Sequence, residues 1–289
     1  MNRFDAALTL LIAVIFLLLM TFAGQPVTPE AARVQQWYDA LCDPTLDQSP
    51  LWDWTWRGGW TISQLQDAFA RYRVRTGLPE PCTPRVNHNV IYFNWLPPTL
   101  SAAVERIKFV AVNVYGTGRP TEPNLIGSVQ TGVHVLYDHE GQSRIFPRFF
   151  ALSPLGVHPT HQPVPLHNND GLLMGQVEVT GFPFPYERAG EIRLAVPLRL
   201  TAHRPWGRYE IQAFINGIEV IPEYYSDVLP LEEQARFLPP AADSIAAAQV
   251  VEGLFYVMVL EPVTDFHLAI TTYQTPWDMR PLPVLIDVI

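Results

Sequence analysis

Residues 208–225 read RYEIQAFINGIEVIPEYY, two runs of alternating apolar and polar residues joined by Asn216-Gly217. An Asn-Gly pair between such runs is a strong short-range sign of a two-residue β-hairpin, because both central residues need positive φ. With that turn, residue 215 faces 218, and counting back sets Phe214 opposite Glu219, Gln212 opposite Ile221 and Glu210 opposite Glu223. One face is then Tyr209, Ile211, Ala213, Ile215, Ile218, Val220 and Tyr224, which predicts a core. The other face carries Glu210, Gln212, Glu219 and Glu223. Carboxylates directly opposite one another repel. That face therefore predicts an arginine partner from Arg193, Arg199 or Arg208. The alternatives are a bound Ca²⁺ or a shared-proton acid pair of the glycosidase kind.

The same period of two runs along most of the chain from Asn87 onward. It predicts further strands at 89–95, 106–115, 127–137, 144–152, 172–180, 191–203, 253–260, 266–273 and 283–288, with a second hairpin turn at DHEG (138–141). Strands with short turns and few helices predict a mainly β fold, an antiparallel β-sandwich of jelly-roll kind over 87–289. One helical insertion, 229–249, interrupts it. The 28 prolines argue against long helices and for extended segments.

Upstream, residues 25–86 predict a small helical neck. Thr28-Pro29-Glu30 reads as a capped helix start, and Thr61 with Gln64 as a capping box. Gly77 and Pro79 end the second helix. Cys42 and Cys82 follow the two predicted helices, and a pair in an oxidising compartment predicts one disulfide. Closing that loop would stabilise the fold by about 4 kcal/mol. The stretch QLQDAFARYRVRTGLP (64–79) resembles the last helix and turn of the helical peptidoglycan-binding repeat. That repeat's Asp-Gly turn and preceding helix are missing, so no residue role is carried over.

The first 24 residues point to the membrane. Ala6–Gly24 is uncharged, and the 18 residues Ala6–Ala23 would span about 27 Å as a helix, the hydrocarbon thickness of a bilayer. A secretory signal has a shorter apolar core, about 7–15 residues. The segment therefore predicts an uncleaved anchor, with a signal cleaved after Thr21-Phe22-Ala23 as the alternative. Arg3 and the amino terminus favour an N-inside, single-pass orientation with an extracytoplasmic body. A net charge of −9 argues against a nucleic-acid partner. Basic residues are 18 Arg and the single Lys108.

Catalytic motifs are missing: there is no Gly-x-Ser-x-Gly elbow, no His-Glu-x-x-His, no phosphate loop and no dinucleotide fingerprint. No cofactor is expected. VHPTHQPVPLHNNDG (157–171) holds His158, His161 and His167, and the reading favours a solvated polar loop. Pro159, Pro163 and Pro165 prevent a helix that would align the rings. The alternative is a transition-metal site completed by Asp138 or His139. Asn168, Asn169 and Asp170 before Gly171 predict an Asx-type turn. In LWDWTWRGGW (51–60), an extended backbone would put Trp52, Trp54 and Trp56 on one side, able to stack on sugar rings; a small core is the plainer explanation. The expected function is a membrane-anchored, non-catalytic binding or assembly module for a protein or cell-wall glycan partner. The alternative is carbohydrate binding or hydrolysis through the tryptophans and the Glu210/Glu223 face.

Overall fold

The computed structural model describes residues 28–57, 59–78, 81–116, 128–188, 190–224, 231–259, 262–275, 278 and 281–289. The anchor expected over 6–24 lies outside them. No helix among the described residues is long and apolar enough to cross a membrane.

Three helices come first among the described residues: α1 (Pro29–Cys42), α2 (Ser49–Trp54) and α3 (Ile62–Thr76). Their ends follow local chemistry. Thr28 Oγ1 accepts from the Ala31 amide at 3.2 Å, satisfying one orphan donor of the first turn. Thr61 and Gln64 form a reciprocal capping box, and Gly77 (φ 70°) closes α3 in the left-handed region. The strands β1 (Cys82–Tyr92), β2 (Arg106–Gly116), β3 (Ser128–Tyr137) and β4 (Ser143–Pro147) make an antiparallel sheet in that order. A short helix, α4 (Pro98–Ser101), lies between β1 and β2. Val34, Trp37 and Phe69 of the helices share one apolar cluster with Val110, Val133 and Ile145 of the sheet.

The disulfide is formed, with Cys42 and Cys82 Cα atoms 4.9 Å apart. It was expected to join two helix ends. It joins the last residue of α1 to the first residue of β1, because β1 begins seven residues before the alternating pattern becomes clear. A buried ion pair adds a second tie: Lys108 Nζ on β2 bonds Glu30 Oε1 on α1, which also accepts from the Tyr137 hydroxyl at 2.7 Å. Burial would raise the Glu30 carboxyl, but the donors Lys108 and Tyr137 outweigh it and hold it at about 2, against 4.5 ordinarily.

The remaining strands are β5 (Val157–His158), β6 (Val164–His167), β7 (Leu173–Val179), β8 (Phe184–Arg188), β9 (Glu191–Ala202), β10 (Trp206–Ile215), β11 (Ile218–Val220), β12 (Ala241–Ile245), β13 (Val250–Met258), β14 (Phe266–Tyr273) and β15 (Val284–Asp287). One sheet runs β11-β10-β14-β15-β5, with β12 also on β10; the other runs β13-β9-β7-β6, with β8 also on β9. All pairs are antiparallel except β15 with β5. Ile211, Leu268 and Ile270 of the first sheet and Val177, Leu198 and Phe255 of the second occupy one apolar cluster. Pro165 is tolerated in β6 because that strand is an edge.

The Asn216-Gly217 hairpin forms in the expected register, with Ala213–Val220, Phe214–Glu219 and Ile215–Ile218 paired. The ladder ends there. Pro222 has no amide to donate, and the chain turns toward β13, where the Glu223 amide bonds the Tyr256 carbonyl at 2.9 Å. β12 takes the vacated edge of β10, so Glu210 faces Ala241 instead of Glu223. Tyr224, expected in the core, is 56% exposed. The helical insertion expected over 229–249 is also corrected. Its described residues hold one helical turn, α5 (Leu231–Gln234), and then β12, since Pro239-Pro240 stops a helix before the alanine-rich run. Strand 144–152 is shorter than expected and ends at Pro147.

Candidate functional site

After β1 the chain continues as Phe93-Asn94-Trp95-Leu96-Pro97-Pro98, which brings two aromatic rings against β5, β6 and the segment before β15. The Asx turn at 168–171 is present. Asn168 Oδ1 accepts from the amides of Asp170 (3.0 Å) and Leu172 (2.9 Å), and the Asn168 side-chain amide donates to Gln274 Oε1 at 3.1 Å. Gly171 has φ +76°, and a Cβ there would lie 2.5 Å from the Trp95 ring. The turn glycine is therefore the seat of the Trp95 indole.

A cleft of about 350 Å³ opens beside this contact, lined by Phe93, Trp95, Leu155, His158, His167 and Val284. Pro97, Pro98 and Pro165 add rigid apolar wall, and Asn168 and Asn169 form its polar rim. The His167 and Trp95 rings stand 5.1 Å apart, tilted by 35°. Burial pushes both His158 and His167 below the ordinary histidine value of 6.5. The imidazoles are thus neutral at pH 7, and no Asp, Glu, Lys or Arg is among the described lining residues. Such a cleft can hold an uncharged apolar or aromatic group and offer it imidazole and carboxamide hydrogen bonds at the rim.

The histidine stretch is therefore split, not gathered. His158 and His167 sit on β5 and β6, not in a solvated loop, because β5 pairs with β15 in one sheet and β6 with β7 in the other. His161 points elsewhere: its Nδ1 donates to the Val179 carbonyl at 3.1 Å and its ring meets Phe182. His139 lies beside the Ser101 carbonyl, and Asp138 accepts turn amides. Among the described residues, no group of three His, Cys, Asp or Glu could hold a metal ion.

The tryptophans are dispersed as well. Residues 49–54 are helical, so Trp52 and Trp54 do not share a side; Ser49-Pro50 starts a turn of helix where an extended run was expected. Trp52 is 49% exposed, while Trp54 and Trp56 pack on the core and Arg33 lies over the Trp54 ring. Trp60 meets Phe150 at 5.5 Å and covers Gly217.

Glu210 and Glu223 do not face each other, and each has an arginine of its own. Glu223 bonds Arg193 at 3.1 Å; Glu210 accepts from the Tyr273 hydroxyl at 2.9 Å, with the buried Arg148 at 3.8 Å. Of the arginines proposed from sequence, Arg193 takes that role, whereas Arg199 pairs with Glu178 and Glu252. Glu219 bonds Arg75 at 2.6 Å and Gln212 at 3.1 Å. Burial raises its carboxyl against those donors, yet both its oxygens are already engaged, which leaves it poorly placed to deliver a proton.

Sequence reasoning missed Phe93 and Trp95. The available signal was a pair of aromatic residues directly before Pro97-Pro98, in a connection too short to have a core of its own. No protein-family model, curated protein or solved structure matches the chain.

Proposed function

We propose that this chain is a non-catalytic binding module, tethered to a membrane through residues 6–24 with its body on the extracytoplasmic side, and that its ligand site is the His158/His167 cleft. The two larger sheets are read as the layers of a β-sandwich with the cleft at its junction with the helix-backed sheet. One observation carries the reading: an uncharged cleft with aromatic and imidazole walls. Clefts of this size and lining are the usual form of small-ligand sites. The Cys42–Cys82 disulfide supports an oxidising compartment, and the uncharged Ala6–Gly24 stretch supports the tether.

Indole, an uncharged and water-soluble aromatic, tests the site. Calorimetric titration of the full chain in lipid nanodiscs, against empty nanodiscs, should show one equivalent bound. Trp95→Ala should weaken it about tenfold through lost ring contact. Lowering the pH from 8 to 5 should weaken it as well. Both imidazoles have depressed values, so they stay neutral until the pH drops below the ordinary histidine range and only then place charge against the ligand. Binding that ignores both changes would reject the cleft as the site.

A further inference from the structure

A second cleft, of about 210 Å³, adjoins the first across Asn168 and Asn169, which line both. Its character is opposite. Asn94, Gln274, Asp170 and Asp278 line it, together with Tyr92, whose side chain belongs to a residue 62% exposed. We infer that the two clefts form one site for an uncharged amphiphile, a short apolar chain or ring joined to a polyhydroxylated head such as a sugar. This rests on the binding reading above and names its ligand class.

Carboxamides both donate and accept, so a set of them pairs with hydroxyl groups whichever way each hydroxyl turns. The absence of Arg and Lys from the described lining removes the partners that a phosphate or carboxylate head would need. The two carboxylates keep their charge and can also accept from hydroxyls through the lone pairs their neighbours leave, so a cationic head is the competing outcome that hexylammonium tests. Asp278 accepts from the Thr275 amide and hydroxyl, each at 2.7 Å, and Asp170 accepts from Asn94 Nδ2 at 3.2 Å. Tyr92 is 62% exposed with the Lys108 ammonium 4.9 Å from its ring centroid, which leaves the other face of the ring for the C–H side of a sugar ring. Across the shared asparagines, the neutral cleft receives the chain, and burying it there is favoured in proportion to its area. The Trp95–Gly171 contact fixes the wall beside the rim, so the distance between the two halves is set by the turn and not by a mobile loop.

Hexyl β-D-glucoside, 1-hexanol, methyl β-D-glucoside and hexylammonium separate the parts, titrated by calorimetry into the full chain in nanodiscs with empty-nanodisc blanks. The glucoside should bind about tenfold tighter than hexanol or methyl glucoside alone, because each half supplies a share. Asn94→Ala, at an exposed position, should bring the hexyl glucoside to the level of hexanol and leave hexanol itself unchanged. Trp95→Ala should weaken both. If indole and hexanol bind but the glucoside gains nothing over hexanol, the two-part site is wrong and the binding reading stands. Preference for hexylammonium would overturn the uncharged head. Failure of indole, hexanol and glucoside alike would remove both proposals.

Discussion

Gly171 and Gly217 each do two jobs, only one of which is written locally. Both have positive φ, +76° and +78°, as the Asx turn and the Asn-Gly hairpin require. Their second job is to lie flat under an indole: a Cβ at 217 would approach Trp60 to 2.6 Å, and one at 171 would approach Trp95 to 2.5 Å. Gly141 has the same φ, +78°, with nothing within 4 Å of its would-be Cβ. Gly141→Ala should therefore cost only the conformational part, about 1 kcal/mol. Gly171→Ala and Gly217→Ala add overpacking against a ring and should cost about 2–4 kcal/mol each by urea unfolding. Equal losses at all three would show that the rings yield freely. The turn role of Gly217 was readable from the Asn-Gly pair. Its contact with Trp60 was not, because nothing in a two-residue signal reports a partner more than a hundred positions away.

Secondary structure was readable where its cause lies within a few residues. The caps at Thr28 and Thr61, the left-handed Gly77 and the two hairpin turns are local chemistry, and each stands as expected. The long strands also stand, since their alternation spans many positions. The failures share a cause. β5, β6, β8 and β12 are too short for a period of two to register, and β5 and β12 also take partners that do not neighbour them along the chain. The Glu210/Glu223 pairing failed for the same reason: Pro222 marked an end to the ladder, but only the competing strand β12 showed what replaces it. The cysteine pair was readable because only two cysteines exist. It closes 40 residues of chain, from the end of α1 to the start of β1. Cys42→Ser should cost about 4 kcal/mol by loop-closure entropy. A loss under about 1 kcal/mol in urea unfolding would mean that the helices hold to the first sheet without the clamp.

Taken whole, the molecule has a helix-backed sheet seated on a pair of larger sheets, and the cleft lies where the two parts meet. A mainly β chain with a disulfide was evident from the sequence. The cleft was not, because Trp95 comes from one part and His158 and His167 from the other. Acid should act first on the helix-backed part. The folded Glu30 value, about 2, lies below the ordinary 4.5, so the unfolded chain takes the proton first. The contribution is complete above pH 4.5 and is lost as the pH falls from there toward 2. Lys108→Met, which strands a buried carboxylate, should cost about 3 kcal/mol at pH 7. The gap from the parent should narrow between pH 5 and pH 3 as Glu30 protonates; a gap independent of pH would place the effect elsewhere. Lys108 has one more consequence. It is the only lysine of the chain, and its side chain is 8% exposed and bonded to Glu30. Reagents that acylate primary amines therefore find, on the folded protein, little besides the α-amino group of whichever residue comes first. A single mild acylation and the mass of the one labelled peptide would read out directly whether Ala6–Gly24 survives maturation.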